Sequence, residues 1–117
     1  MNISEGEYCV TVREDHFRAI KQYNCNECRQ PIFPKNRYWA IGYEQNGKIS
    51  AHKVCIDCES VIKIFFGSRW TYHCLWDDLW DNFVEYGVGS YKRLIDNVTP
   101  KAKDRILSII KDIKAKE

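Results

Sequence analysis

Cys25-Asn26-Glu27-Cys28 and Cys55-Ile56-Asp57-Cys58 are the two stretches on which the reading of this chain turns. Each is a C-x2-C pair, and residues 29–54 lie between them. Two cysteines three apart can face one ion if the backbone between them makes a tight knuckle, and two such pairs fill the four tetrahedral positions that zinc takes in structural sites. In a secreted protein, 6 cysteines in 117 residues would suggest disulfides. The start of this chain, Met1-Asn2-Ile3-Ser4-Glu5-Gly6-Glu7, lacks the basic-then-apolar run of a secretory signal. A reducing, cytoplasmic setting is therefore expected, where matched pairs mean metal more often than a redox dithiol. Zn2+ held by Cys25, Cys28, Cys55 and Cys58 is the expectation.

Working outward, Pro31 and Pro34 bracket a loop, Arg37 to Tyr43 has strand composition, and Asn46-Gly47 is a strong turn dipeptide before Lys48 to Lys53. A hairpin is thus predicted between the cysteine pairs. From Asp57 the period changes to Val61, Ile62, Phe65 and Phe66, a helical spacing closed by Gly67. Ahead of the first pair, residues 7–24 read as another hairpin: Tyr8, Val10 and Val12 alternate, Arg13-Glu14-Asp15 suggests a turn, and Phe17 to Tyr23 alternates loosely again.

The remainder reads as helical. Trp76, Leu79, Trp80 and Phe83 recur at one-face spacing, with Asp77, Asp78, Asp81 and Glu85 on the other faces and Gly87 and Gly89 as the stop. A short helix is predicted within Ser90 to Val98. Thr99-Pro100 then signals the start of a last helix with Ala102, Ile106, Ile109, Ile110 and Ile113 on its apolar face. With 44% hydrophobic and 14% aromatic residues the chain can bury a core, and no run approaches the roughly 18 apolar residues of a membrane span. The expected fold is α+β, one domain over 1–117, with a zinc-binding core at 25–67 and a helical extension at 70–117 packed on it.

Knuckle, hairpin and a helix that begins on two ligands resemble the treble-clef zinc finger over residues 25 to about 67. The layout Cys-x2-Cys, hairpin, His-x2-Cys-x2-Cys, helix is also similar to small zinc-binding proteins of bacteriophage genomes, mostly without assigned function. That resemblance implies a binding protein in a host cytoplasm, acting on a host enzyme or defence complex. His52-x2-Cys55 further resembles the first zinc site of LIM domains, so His52 is an alternative ligand in place of Cys58. Cys58 would then open a second site, for which position 61, a valine, offers no ligand. Otherwise His52 is expected beside the metal, as a donor to a thiolate. Cys9 and Cys74 are read as small buried apolar residues.

A filled four-ligand site has no open position for water, so the metal is expected to hold the fold and not to perform hydrolysis. Four thiolates and one Zn2+ sum to minus two, which offsets the formal net charge of +2. His16, His52 and His73 fall on separate elements in no recognised catalytic spacing, so no catalytic residue is assigned. The nearest enzyme class, the treble-clef HNH nuclease, needs an Asp-His, Asn and His pattern around His52 that is missing. A protein partner is expected ahead of a nucleic acid, with the acidic face Asp77, Asp78, Asp81 and Glu85 steering it. The alternative is nucleic-acid binding by a basic aromatic hairpin, Arg37, Tyr38, Trp39, Tyr43, Lys48 and Lys53, through phosphate contacts and base stacking. Against it stands the reading in which those rings pack the hairpin onto the helices.

Overall fold

Asn46 and Gly47 take φ of 54° and 79°, the left-handed conformation that a two-residue hairpin turn demands and that Asn and Gly enter at least cost. They join β4 (Arg37–Gln45) to β5 (Lys48–Cys55) in a register running from Gln45↔Lys48 to Tyr38↔Cys55. The computed structural model describes residues 10–67, 69–89 and 92–116, with side chains from residue 14 onward. A third strand, β1 (Val10–Arg18), pairs antiparallel with the far side of β4, giving the sheet order β1-β4-β5.

β1 corrects the sequence reading of residues 7–24. No turn forms at Arg13-Glu14-Asp15; the strand continues through them and absorbs the irregularity as a register shift between Thr11 and Arg13. An edge strand tolerates charge on its solvent side, and pairing with β4 sets the His16 ring against Trp39. Tyr8 and Cys9 lie outside the described residues. The expected second arm of that hairpin shrinks to β2 (Tyr23–Asn24), which pairs with β3 (Pro31–Ile32) around the first cysteine pair.

Trp39 and Ile41 on β4 pair with Val54 and His52 on β5, and all four are buried, so one face of the sheet is core. After β5 the chain enters α1 (Ile56–Val61), which widens into a π-helical turn, Ile62–Phe66, and stops at Gly67 with φ of 68°. α2 (Leu75–Tyr86) buries Leu75, Trp76, Leu79 and Phe83, and ends where the Gly87 N–H bonds the Phe83 carbonyl. Of the helix expected within 90–98, the described residues 92–98 form a 3-10 turn at Leu94–Asn97 that anchors Ile95 and Val98 in the core, and Ser90 and Tyr91 lie outside the described residues. Pro100 leaves little room for more, because it disfavours helix in the residue before it.

α3 (Pro100–Ala115) starts as its sequence predicts. Thr99 Oγ accepts the Ala102 N–H at 3.3 Å and donates to Asp57 at 2.6 Å, while the Thr99 N–H reaches Ser60 Oγ at 3.2 Å. The cap thus fastens α3 to α1. Full burial of Ile62, Leu75, Leu79 and Ile106, about 1.5–3 kcal/mol each, supplies the main force that docks the helices on the sheet. Among the described residues no helix is long and apolar enough to cross a membrane.

Candidate metal centre

Between β2 and β3 the chain reverses tightly, with Cys25 N–H on the Gln30 carbonyl at 2.9 Å and Arg29 N–H on the Cys25 carbonyl at 3.0 Å. Asn26 fixes this knuckle to β5: its N–H bonds the Lys53 carbonyl at 2.8 Å, and its side chain accepts the Lys53 N–H at 2.7 Å. Cys55, two residues on, therefore arrives beside the knuckle. It is also the N-cap of α1, its sulfur accepting the Cys58 N–H at 3.5 Å. The four sulfurs of Cys25, Cys28, Cys55 and Cys58 lie within 4.8 Å of one another, with Cys28 and Cys55 at 3.8 Å. A tetrahedron with metal–sulfur bonds of about 2.3 Å has edges of about 3.8 Å, so the cluster fits a metal ion with little movement.

The surroundings favour thiolates. Cys25 Sγ accepts N–H bonds from Glu27 and Cys55, both at 3.4 Å, and Cys58 Sγ accepts the Trp76 indole N–H at 3.4 Å. Sulfurs this close titrate as a unit. Hydrogen bonds from Cys28, Cys55 and Cys58 hold Cys25 far below the ordinary thiol range. Cys28, opposed by Cys25 but helped by Cys55 and Cys58, comes down to about 7. Cys55 and Cys58 are pushed up, by hydrogen bonding with Cys25 first and Cys28 next, although Cys58 itself works to lower Cys55. Cys25 and Cys28 are thus favoured as thiolates at the expense of Cys55 and Cys58, and a bound divalent cation would remove that conflict. A cavity of about 300 Å3 opens on the partly exposed edge of Cys28 and Cys55, lined also by Asp57 of α1 and by Lys101 and Arg105 of α3. The Arg105 guanidinium lies 4.2 Å over the Trp76 ring.

Glu27 is the residue that sequence reasoning missed. It sits inside the knuckle, yet its side chain is out of solvent and accepts four hydrogen bonds: His52 Nε2 at 2.5 Å, Trp70 Nε1 at 3.0 Å, and the backbone N–H groups of His73 at 2.8 Å and Leu75 at 2.9 Å. Burial alone would raise its pKa, but these donors, His52 foremost, outweigh it and bring the carboxyl below its usual value. His73 has φ of 71° and donates its Nδ1–H to the Asn26 carbonyl at 3.1 Å. The carboxylate therefore ties the knuckle to β5 and to the start of α2. Only its position between two paired cysteines hinted that Glu27 is not an ordinary surface acid.

His52 is corrected accordingly. Its ring is buried, stacked on Tyr72 at 4.3 Å, and its Nε2 serves Glu27 instead of a sulfur, so it stands outside the four-cysteine cluster. Cys74 is half-buried just before α2, and burial followed by the Asp78 and Asp77 charges pushes its thiol up. The hairpin residues proposed for nucleic acid do not form one face: Tyr38 and Trp39 are buried, Tyr43 is half-buried edge-on to Tyr72, Lys53 lies over Tyr23, and Arg37 and Lys48 are exposed. Of the acidic set, Asp77, Asp81 and Glu85 are exposed, whereas Asp78 accepts the Thr71 N–H at 3.0 Å. His16 bonds Glu59 at 2.5 Å, away from the other two histidines. In comparisons with protein-family models, curated proteins and solved structures, no match to this chain was found.

Proposed function

We propose that this chain is a non-catalytic binding protein whose fold is held by one Zn2+ on Cys25, Cys28, Cys55 and Cys58, in a treble-clef arrangement of knuckle, hairpin and α1. The observation that carries this reading is the closed cluster of four sulfurs, with N–H donors directed at Cys25, Cys55 and Cys58. Four protein ligands leave the metal no position for water, and the ion's contribution is folding energy. Elemental analysis of protein purified without added metal tests it: one zinc per chain is expected, and a folded, metal-free monomer sinks the reading.

Action by binding to a protein is supported by α2, which presents Asp77, Asp81 and Glu85 together with exposed Val84 and Tyr86, charge for steering beside apolar area for contact. Affinity capture from nuclease-treated lysate, comparing the wild type with Asp77→Asn/Asp81→Asn/Glu85→Gln, is the corresponding test. A protein retained by the former and lost by the latter is the expected result; identical captures remove α2 as the docking face.

A further inference from the structure

A second surface, on the outer side of the knuckle, has a different character. Residues 16–26 and 28–43 contain no Asp or Glu, and Glu27 between them is buried under its four donors. Arg18, Lys21, Lys35 and Arg37 in these segments are exposed, and among the described residues no ion pair engages them. Interleaved with them are exposed apolar groups: Phe17 at 44%, Phe33 at 54% and Ile20 at 87%. Tyr23, half-buried, has Lys53 and Lys21 ammonium groups 5.0 Å and 5.7 Å from its ring centre.

Phe17, Tyr38 and Tyr23, with Lys21 and Lys53, lie on one face, and the Arg18–Arg37 pair, one residue on in the register, stands on the other face at the end of the sheet. The Ala19 N–H bonds the Asn36 carbonyl at 2.8 Å, the Lys35 N–H returns to the Ala19 carbonyl at 2.7 Å, and Arg18 reaches the Lys35 carbonyl at 3.2 Å. Phe33 N–H is held by the Asn36 side chain at 3.1 Å. Through Tyr38 the rings of Phe17 and Tyr23 are linked, at 6.1 Å and 5.6 Å. The loop before β2 and the loop after β3 are therefore locked side by side, next to the face on which Lys21 and Lys53 flank the Tyr23 ring.

We infer that this patch is a binding surface for single-stranded nucleic acid. A single strand offers regularly spaced phosphates and unpaired bases with open faces, which is the complement of lysines set beside exposed rings. Insertion into a membrane needs apolar tips that project beyond the charged groups. Here Phe17 lies along β1 against Tyr38, and of the three apolar groups Ile20 is the most exposed. The inference goes beyond the zinc and α2 readings. It rests on the former only insofar as zinc holds the knuckle, so zinc content is measured on the same samples.

The test is fluorescence anisotropy with labelled oligo-dT and oligo-U of about 20 nucleotides, across a salt series, on protein of known zinc content and melting temperature. Binding whose affinity falls linearly on a log–log salt plot is expected, with Phe17→Ala and Phe33→Ala each weakening it about 5- to 100-fold. Lys21→Gln with Lys35→Gln should reduce the salt slope by about 1.4. Lys48→Gln, at the hairpin turn, should leave binding unchanged. Folded, zinc-loaded protein that ignores both oligonucleotides overturns the inference, as does equal binding to inorganic polyphosphate with no loss in the phenylalanine variants. Tighter binding to anionic phosphatidylserine vesicles that those variants abolish overturns it in favour of a membrane surface. Oligonucleotide binding by metal-free folded protein upholds the surface and removes the zinc reading instead.

Discussion

The Glu27 carboxylate and the His52 imidazole meet at 2.5 Å with 0% and 1% of their side chains exposed. One belongs to the knuckle and the other to β5, so the knuckle is gripped from two sides, by the sulfur cluster and by this pair. Removing the carboxylate strands the donors that converge on it, at about 1–3 kcal/mol for each buried one left without an acceptor, or about 3–5 kcal/mol together once the site relaxes.

Glu27→Ala should therefore lose about that much stability, and Glu27→Gln somewhat less, because the amide oxygen still accepts while the amide nitrogen cannot. Urea denaturation at a fixed free zinc concentration measures both. A loss below about 1 kcal/mol for the alanine variant would contradict the arrangement.

Trp39 and Trp70 lie against each other at 5.8 Å, yet their indole N–H groups differ. That of Trp70 bonds Glu27, whereas the buried N–H of Trp39 meets no acceptor among the described residues. Both changes to phenylalanine remove similar volume. Trp70→Phe should thus be the more destabilising by about 1–3 kcal/mol, since it deprives a buried carboxylate of a donor while Trp39→Phe removes a donor with nothing to lose. Equal thermal shifts would show that the Glu27 bond contributes little.

Trp76 touches the candidate metal site through its N–H on Cys58. Trp76→Phe should weaken zinc binding about 10- to 100-fold, read by competition with a chromogenic chelator. Trp80→Phe, on the same helix with its ring under Lys116, should leave the affinity unchanged.

Among the cysteines, Cys25→Ser and Cys58→Ser should each release zinc and cost several kcal/mol, since structural zinc carries folding free energy of about 10–16 kcal/mol in small peptides. Cys74→Ala should cost about 1 kcal/mol or less. His52→Ala should lower stability but retain one zinc per chain by elemental analysis; loss of metal there would restore the ligand set in which His52 replaces Cys58.

Thr99→Ala should destabilise by about 1–2 kcal/mol, because it removes both the cap on Ala102 and the bond to Asp57. Thr99→Ser, which keeps the hydroxyl, should recover most of that in a thermal melt.

What could be read from the sequence, and what could not, follows from range. The cysteine pairs, Asn46-Gly47 and Thr99-Pro100 act on their immediate neighbours, and each stands in the structure where its chemistry places it. The partner of β1 was not legible, because the alternation of Val10 and Val12 says that a strand exists without saying which strand it joins. Charged residues at 13–15 then resembled a turn. Glu27 was hidden for a related reason: a glutamate in a loop reads as solvated unless four donors from residues 52, 70, 73 and 75 converge on it, and that convergence exists only in the fold. Tyr38 and Trp39 could be read as a stacking platform or as core, and long-range contacts decided for core.

Cys55 belongs at once to the sulfur cluster and to the cap of α1, and the cap of α3 hangs from Asp57 and Ser60 of that same short helix. Dependence on an ion bound there would therefore have a direction along the chain. The β4–β5 hairpin is closed by its own turn and owes the ion little, whereas a helix of six residues has no independent persistence. Withdrawal of a bound cation would slacken the start of α1 and then the cap of α3, while burial still holds α2 and α3 on the sheet and the hairpin keeps its register.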